Sequence, residues 1–91
     1  MRRKLFVIIV LVLAAGACTT SPPVQEMSDA RQAIMAAEEA GANEFAPSSL
    51  QAARDYLKSA ETKLRRKAYH GARLDAMDAR RKALEALNKG Q

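Results

Sequence analysis

The sequence predicts an all-α fold, and three observations carry that expectation. Beyond the first two dozen residues the apolar side chains recur at alternating spacings of three and four, which aligns them on one face of a helix. Alanine is abundant, tryptophan is absent, and Tyr and Phe occur only twice each in 91 residues, a composition suited to thin, closely packed helices rather than a thick sheet core. The single cysteine, Cys18, excludes an internal disulfide, so helix packing or a partner must supply the stability. A chain of this length holds one small domain at most. The expected architecture is a small antiparallel three-helix bundle, with helices over about 25–41, 48–66 and 69–88 of a domain spanning 25–91.

Residues 1–17 form a leader. Arg2, Arg3 and Lys4 are a short basic start, and the unbroken apolar run of 11 residues from Leu5 to Ala15 follows. That run suits a signal peptide and falls short of the roughly 20 residues a membrane-spanning helix needs. Ala15, Gly16 and Ala17 then close it. One reading of these small residues is an ordinary signal-peptidase site at Ala15-x-Ala17, leaving Cys18 as a free thiol. The other is that Ala15-Gly16-Ala17-Cys18 resembles the lipobox of bacterial lipoproteins, with Ala15 where a leucine is commonest. The resemblance implies cleavage between Ala17 and Cys18, a diacylglyceryl group on the Cys18 sulfur and acylation of the new amino group. No other cofactor is implied. By the same resemblance, Thr19 rather than an aspartate after the cysteine implies the outer membrane of a diderm bacterium, on its periplasmic face. Two or more acyl chains anchor stably where one holds only marginally, so the membrane is an expected partner through the lipid alone. Thr19-Thr20-Ser21-Pro22-Pro23 completes residues 18–24 as a polar, stiffened spacer.

The first helix places Met27, Ala30, Ile34, Ala37 and Gly41 on one stripe. Gly41-Ala42-Asn43 ends it, since Gly or Asn adopts the left-handed cap conformation. The second helix begins with Pro47 at its first position, or one or two residues later with Ser48 as cap and Gln51 completing a capping box. Leu50, Ala53, Leu57, Ala60 and Leu64 form its stripe. Arg65-Arg66-Lys67-Ala68 holds neither Gly nor Pro, so the second and third helices run on as one or break at a tight turn. The stripe slips by one residue between Leu64 and Tyr69 and Gly71 lies nearby, which favours the turn. Tyr69, Ala72, Ala76, Ala79, Ala83 and Leu87 follow as the third stripe. Tyr56 and Tyr69 are expected at the core edge, and Met27 and Met77 as gap fillers. Arg73 and Arg80 fall within the apolar arc of the third helix, where their stems can serve as core.

The segment Ala33–Ala42, the break Gly41-Ala42-Asn43-Glu44-Phe45-Ala46-Pro47, the Leu50-to-Leu64 ladder and Tyr69-x-x-Ala72 resemble an uncharacterised family of small helical envelope domains. Such domains occur in short lipoproteins and ahead of outer-membrane-protein-A-like peptidoglycan-binding domains. The likeness covers about Met27 to Leu87. Members carry Gly-Asp before the restart tyrosine, where this chain has Lys67-Ala68. The resemblance implies fold and location and brings no activity with it.

The side-chain inventory points away from catalysis. His70 is the only histidine and no second thiol exists, so neither a metal set nor a nucleophile–base pair can be assembled. Adjacent Glu38 and Glu39 diverge on a helix. A non-enzyme is therefore expected, acting as a structural or adaptor module of the cell envelope towards a protein or peptidoglycan partner. Charge is segregated: from Cys18 to Ser49, Glu26, Asp29, Glu38, Glu39 and Glu44 face a single Arg31, whereas eleven basic residues against five acidic follow from Leu50 onward. An acidic first helix along basic neighbours needs no external ligand. The remaining candidates for contact with an anionic surface are Lys63, Arg65, Arg66 and Lys67, and Arg80, Arg81 and Lys82; the plainer reading of both runs is a solvated helix face. Nucleic acid is not expected, because the leader directs export and no aromatic platform for stacking bases is present. A core this rich in alanine buries little area, so self-association, including a self-assembling coiled coil, is a further expectation.

Overall fold

In the computed structural model, residues 21–90 are described; the expected cleavage and lipidation positions Ala17 and Cys18, the rest of the expected leader and residues 19–20 of the spacer lie outside them. Four helices follow in order: α1 Val24–Glu39, α2 Ala42–Phe45, α3 Pro47–Arg65 and α4 Tyr69–Lys89, with no strand among the described residues. The three long helices match the expected spans 25–41, 48–66 and 69–88 to within two residues at each end. The single-turn α2 corrects the expectation of three helices.

Each boundary has a local cause. Gly41 takes φ 89°, the left-handed value that stops α1, and its N–H reaches back to the Glu38 carbonyl. The same Gly41 carbonyl then accepts from Glu44 N–H, winding α2. Pro47 occupies the first turn of α3, whose N-cap is Ala46, so the Ser48-cap alternative is set aside. At the far end of α3 the chain turns without glycine. Lys67 N–H donates to the Leu64 carbonyl at 3.0 Å and Ala68 N–H to the Lys63 carbonyl at 2.9 Å, the paired bonds of a Schellman turn. Lys67 supplies its left-handed residue, with φ 61°. The second and third helices are therefore separate.

Packing fixes the directions. Ser59 and Asp75 meet across α3 and α4, as do Ser49 and Glu85, so this pair is antiparallel. Met27 and Ala30 cluster with Ala60, Ala76 and Ala79, while Ile34 and Ala37 cluster with Ala53, Ala83 and Ala86. Helix α1 thus runs parallel to α4 and antiparallel to α3. The starts of α1 and α4 and the end of α3 share one end of the bundle, hereafter the near end. Apart from Pro23, Met27, Ile34 and Leu50, every buried apolar residue is alanine. Ala42 and Ala46 of the α2 segment complete the far-end core around Leu50. Tyr56 and Tyr69 do lie at the core edge, but Met77 is not a gap filler: it is 53% exposed, because Ala76 and Ala79 occupy the buried arc and turn it outward.

Candidate functional site

The two basic runs fall in different places. Lys63, Arg65, Arg66 and Lys67 surround the α3–α4 turn at the near end. Arg80, Arg81 and Lys82 lie more than ten residues into α4, about 16 Å along its axis from Tyr69. There Arg81 pairs with Asp78 at 3.4 Å and Lys82 with Glu85 at 3.2 Å, so two of the three cations are occupied within their own helix. Close approach of Lys82 and Lys89 holds the Glu85 carboxyl below its usual range.

At the near end the cations divide into structural and outward-facing. Lys63 bends back along α4, its stem crossing the bare backbone of Gly71, and its ammonium reaches the Asp75 carboxylate at 2.8 Å. Ser59 donates to the same carboxylate oxygen, with Oγ 2.5 Å from Asp75 Oδ2. Burial pushes the Asp75 carboxyl up, but the bonds from Lys63 and Ser59, with the Lys63 charge, outweigh it and leave the group below its ordinary value. Arg73 clasps the chain entry: Nε lies 3.2 Å from Glu26 and Nη2 donates to the Ser21 carbonyl at 3.0 Å. The snorkelling expected of Arg73 thus ends in a defined partner. By contrast, Arg65, Arg66 and Lys67 are exposed, and among the described residues no carboxylate pairs with them; Arg65 only donates to Thr62 Oγ1. His70 is exposed beside them. Val24 and Leu74, 71% and 48% exposed, add apolar surface at the same end.

The expected charge complementarity between helices is present in part. Glu26 meets Arg73 and Glu38 meets Arg54, whereas Arg31 of α1 meets Glu61 of α3 with the signs reversed. At the far end, Glu39 and Glu44 have no ion-pair partner among the described residues. Sequence reasoning missed the clasp of Arg73 on Ser21 and the Ser59–Asp75–Lys63 set. Both join residues remote in sequence, and the helix directions that bring them together leave no periodic signal.

An open groove of about 820 Å³ runs between α1 and α4, bordered by Glu26, Asp29, Met77, Arg80, Arg81 and Leu84. No described helix is long and apolar enough to cross a membrane, and no group of ligating side chains among the described residues is arranged to hold a metal ion. Comparison with known proteins finds a family model, described as a domain of unknown function, that matches residues 25–91. No curated protein and no solved structure matches the chain. The match spans all four helices, and the chain accordingly belongs to the DUF4398 family.

Proposed function

We propose that the chain is a non-enzymatic lipoprotein of the cell envelope, tethered through acylated Cys18 to the periplasmic face of the outer membrane. In this role the helical bundle is a structural or adaptor module that offers helix faces to a protein or to the wall. The observation that carries the reading is the Ala15-Gly16-Ala17-Cys18 sequence behind an 11-residue apolar run, directly ahead of the spacer and of the domain that begins at residue 25. An acylated cysteine anchors such a chain without a spanning helix. The α1–α4 groove, with Leu74, Met77 and Leu84 on one exposed arc of α4, supports the idea of an offered face.

Mass spectrometry of the mature amino terminus tests the anchor. The expected product starts at Cys18 and carries acyl chains; a product retaining residues before Cys18, or an unmodified thiol, overturns the proposal. Cys18→Ala is expected to release the protein from the membrane fraction. The self-assembling coiled coil is the competing reading, and light scattering of the Cys18→Ala protein separates the two: a monomer removes it.

A further inference from the structure

We infer that the near end of the bundle docks on anionic phospholipid headgroups beside the anchor, through Arg65, Arg66 and Lys67, with Val24 and Leu74 at its margin. The inference rests on the Cys18 anchor proposed above, and three independent observations lead to it.

The first is topology. Because α1 and α4 are parallel, the start of α1 and the α3–α4 turn share one end, and Arg73 ties Ser21 to α4 there. Cys18 precedes Ser21 by three residues, a covalent reach of at most about 11 Å. A lipid on Cys18 therefore holds this end, and no other, at the membrane surface, close to the Debye length of about 8 Å at physiological salt.

The second is charge. The far end mixes Glu38, Glu39, Glu44 and Glu85 with Arg54, Lys82 and Lys89, which pair with Glu38 and Glu85, whereas the near end exposes three cations without carboxylate partners among the described residues. The molecule is polarised along its length, basic towards the anchor. An anionic surface therefore attracts the near end more strongly than the far end.

The third is the backbone of Lys67. Its φ of 61° is a conformation that glycine adopts freely and an L-residue only at a cost. A role confined to closing the turn favours glycine there. Lysine contributes charge in the exposed turn, and a strained residue of that kind points to a role outside the fold.

The Arg80–Lys82 run has no part in this contact, since it lies well up α4 and is largely paired within its own helix. Each cation close to an anionic leaflet strengthens association by about fivefold, so the three together supply on the order of 100-fold.

The test uses the full lipidated protein in vesicles of phosphatidylcholine alone or with one third phosphatidylglycerol. Flotation reads the anchor. Labelling of lysines by an impermeant amine reagent, quantified by mass spectrometry, reads the tip, with Lys89 at the far end as internal reference. The expected result is flotation with both vesicle types, and a Lys67-to-Lys89 labelling ratio that falls severalfold only with phosphatidylglycerol and recovers in high salt. Arg65→Gln with Arg66→Gln should abolish that fall, and Arg80→Gln with Arg81→Gln should leave it intact; unchanged helical circular dichroism certifies both variants. Flotation with both vesicles and an unchanged ratio overturns the docking surface and leaves the anchor standing. Flotation with neither overturns both, and flotation with the anionic vesicles alone supports the tip contact while removing the anchor.

Discussion

Lys67 is the position where local energetics and sequence disagree most plainly. Holding an L-residue in the left-handed region costs on the order of 1 kcal/mol, and glycine removes that cost. Lys67→Gly should therefore raise the melting temperature by about 4–8 °C, as expected for a gain near 1 kcal/mol in a domain of this size. Differential scanning calorimetry checks it, and an unchanged or lower midpoint would remove the strain argument. Asp75 carries a second expectation. Its carboxyl sits below the ordinary value of 3.8, so its contribution to stability is complete above that value and fades as pH falls through the lower folded value. Asp75→Asn should lower stability at neutral pH and flatten the remaining loss below about pH 4, followed by thermal melts across a pH series. A slope as steep as that of the unmodified chain would show that the acid sensitivity arises elsewhere. Residue-scale features were legible where chemistry is local, as with Gly41 and Pro47. Lys67 was not, because nothing in its type announces a left-handed backbone; the slip in the stripe and the nearby Gly71 pointed to the turn without placing it on Lys67.

Among the elements, α4 is the most constrained, since each of its buried positions is an alanine: Ala72, Ala76, Ala79, Ala83 and Ala86. Methyl groups let neighbouring backbones approach closely and leave no room for growth. Ala79→Leu should cost about 1–3 kcal/mol through overpacking, whereas Met77→Ala, on the exposed arc, should stay within about 0.5 kcal/mol. Urea denaturation compares the two; equal costs would mean that the stripe is loosely packed. Periodicity revealed these long elements because each repeats over several turns. The four residues of α2 are too few to carry a period, and Gly41 and Pro47 on either side read as a simple break. The structure gives that break a further duty, since Ala42 and Ala46 seal the far-end core and the Phe45 ring lies over Gly90 at the end of α4.

For the molecule as a whole, the large buried side chains are so few that each matters globally. Leu50, fully buried in the first turn of α3 within the far-end cluster, should cost about 2–5 kcal/mol when truncated to alanine, enough to unfold much of the population at 37 °C. A circular-dichroism melt of Leu50→Ala decides this, and a midpoint within a few degrees of the unmodified chain would count against it. The three long helices and their buried faces could be read from the sequence, but the single-turn α2 could not, nor could the contacts that fix the helices against one another, because these come from loop geometry and from pairs such as Glu26–Arg73 that no period encodes. Those pairs also govern something the core leaves undetermined. A row of identical methyls presents nearly the same profile after sliding by one helical pitch, like a rack without distinctive teeth. The clasp of Arg73 on Glu26 and Ser21 at one extremity, and the ring of Phe45 seated on Gly90 at the other, act as end stops that index the sliding rods. Vernier alignment in this protein is thus set at its tips rather than along its middle.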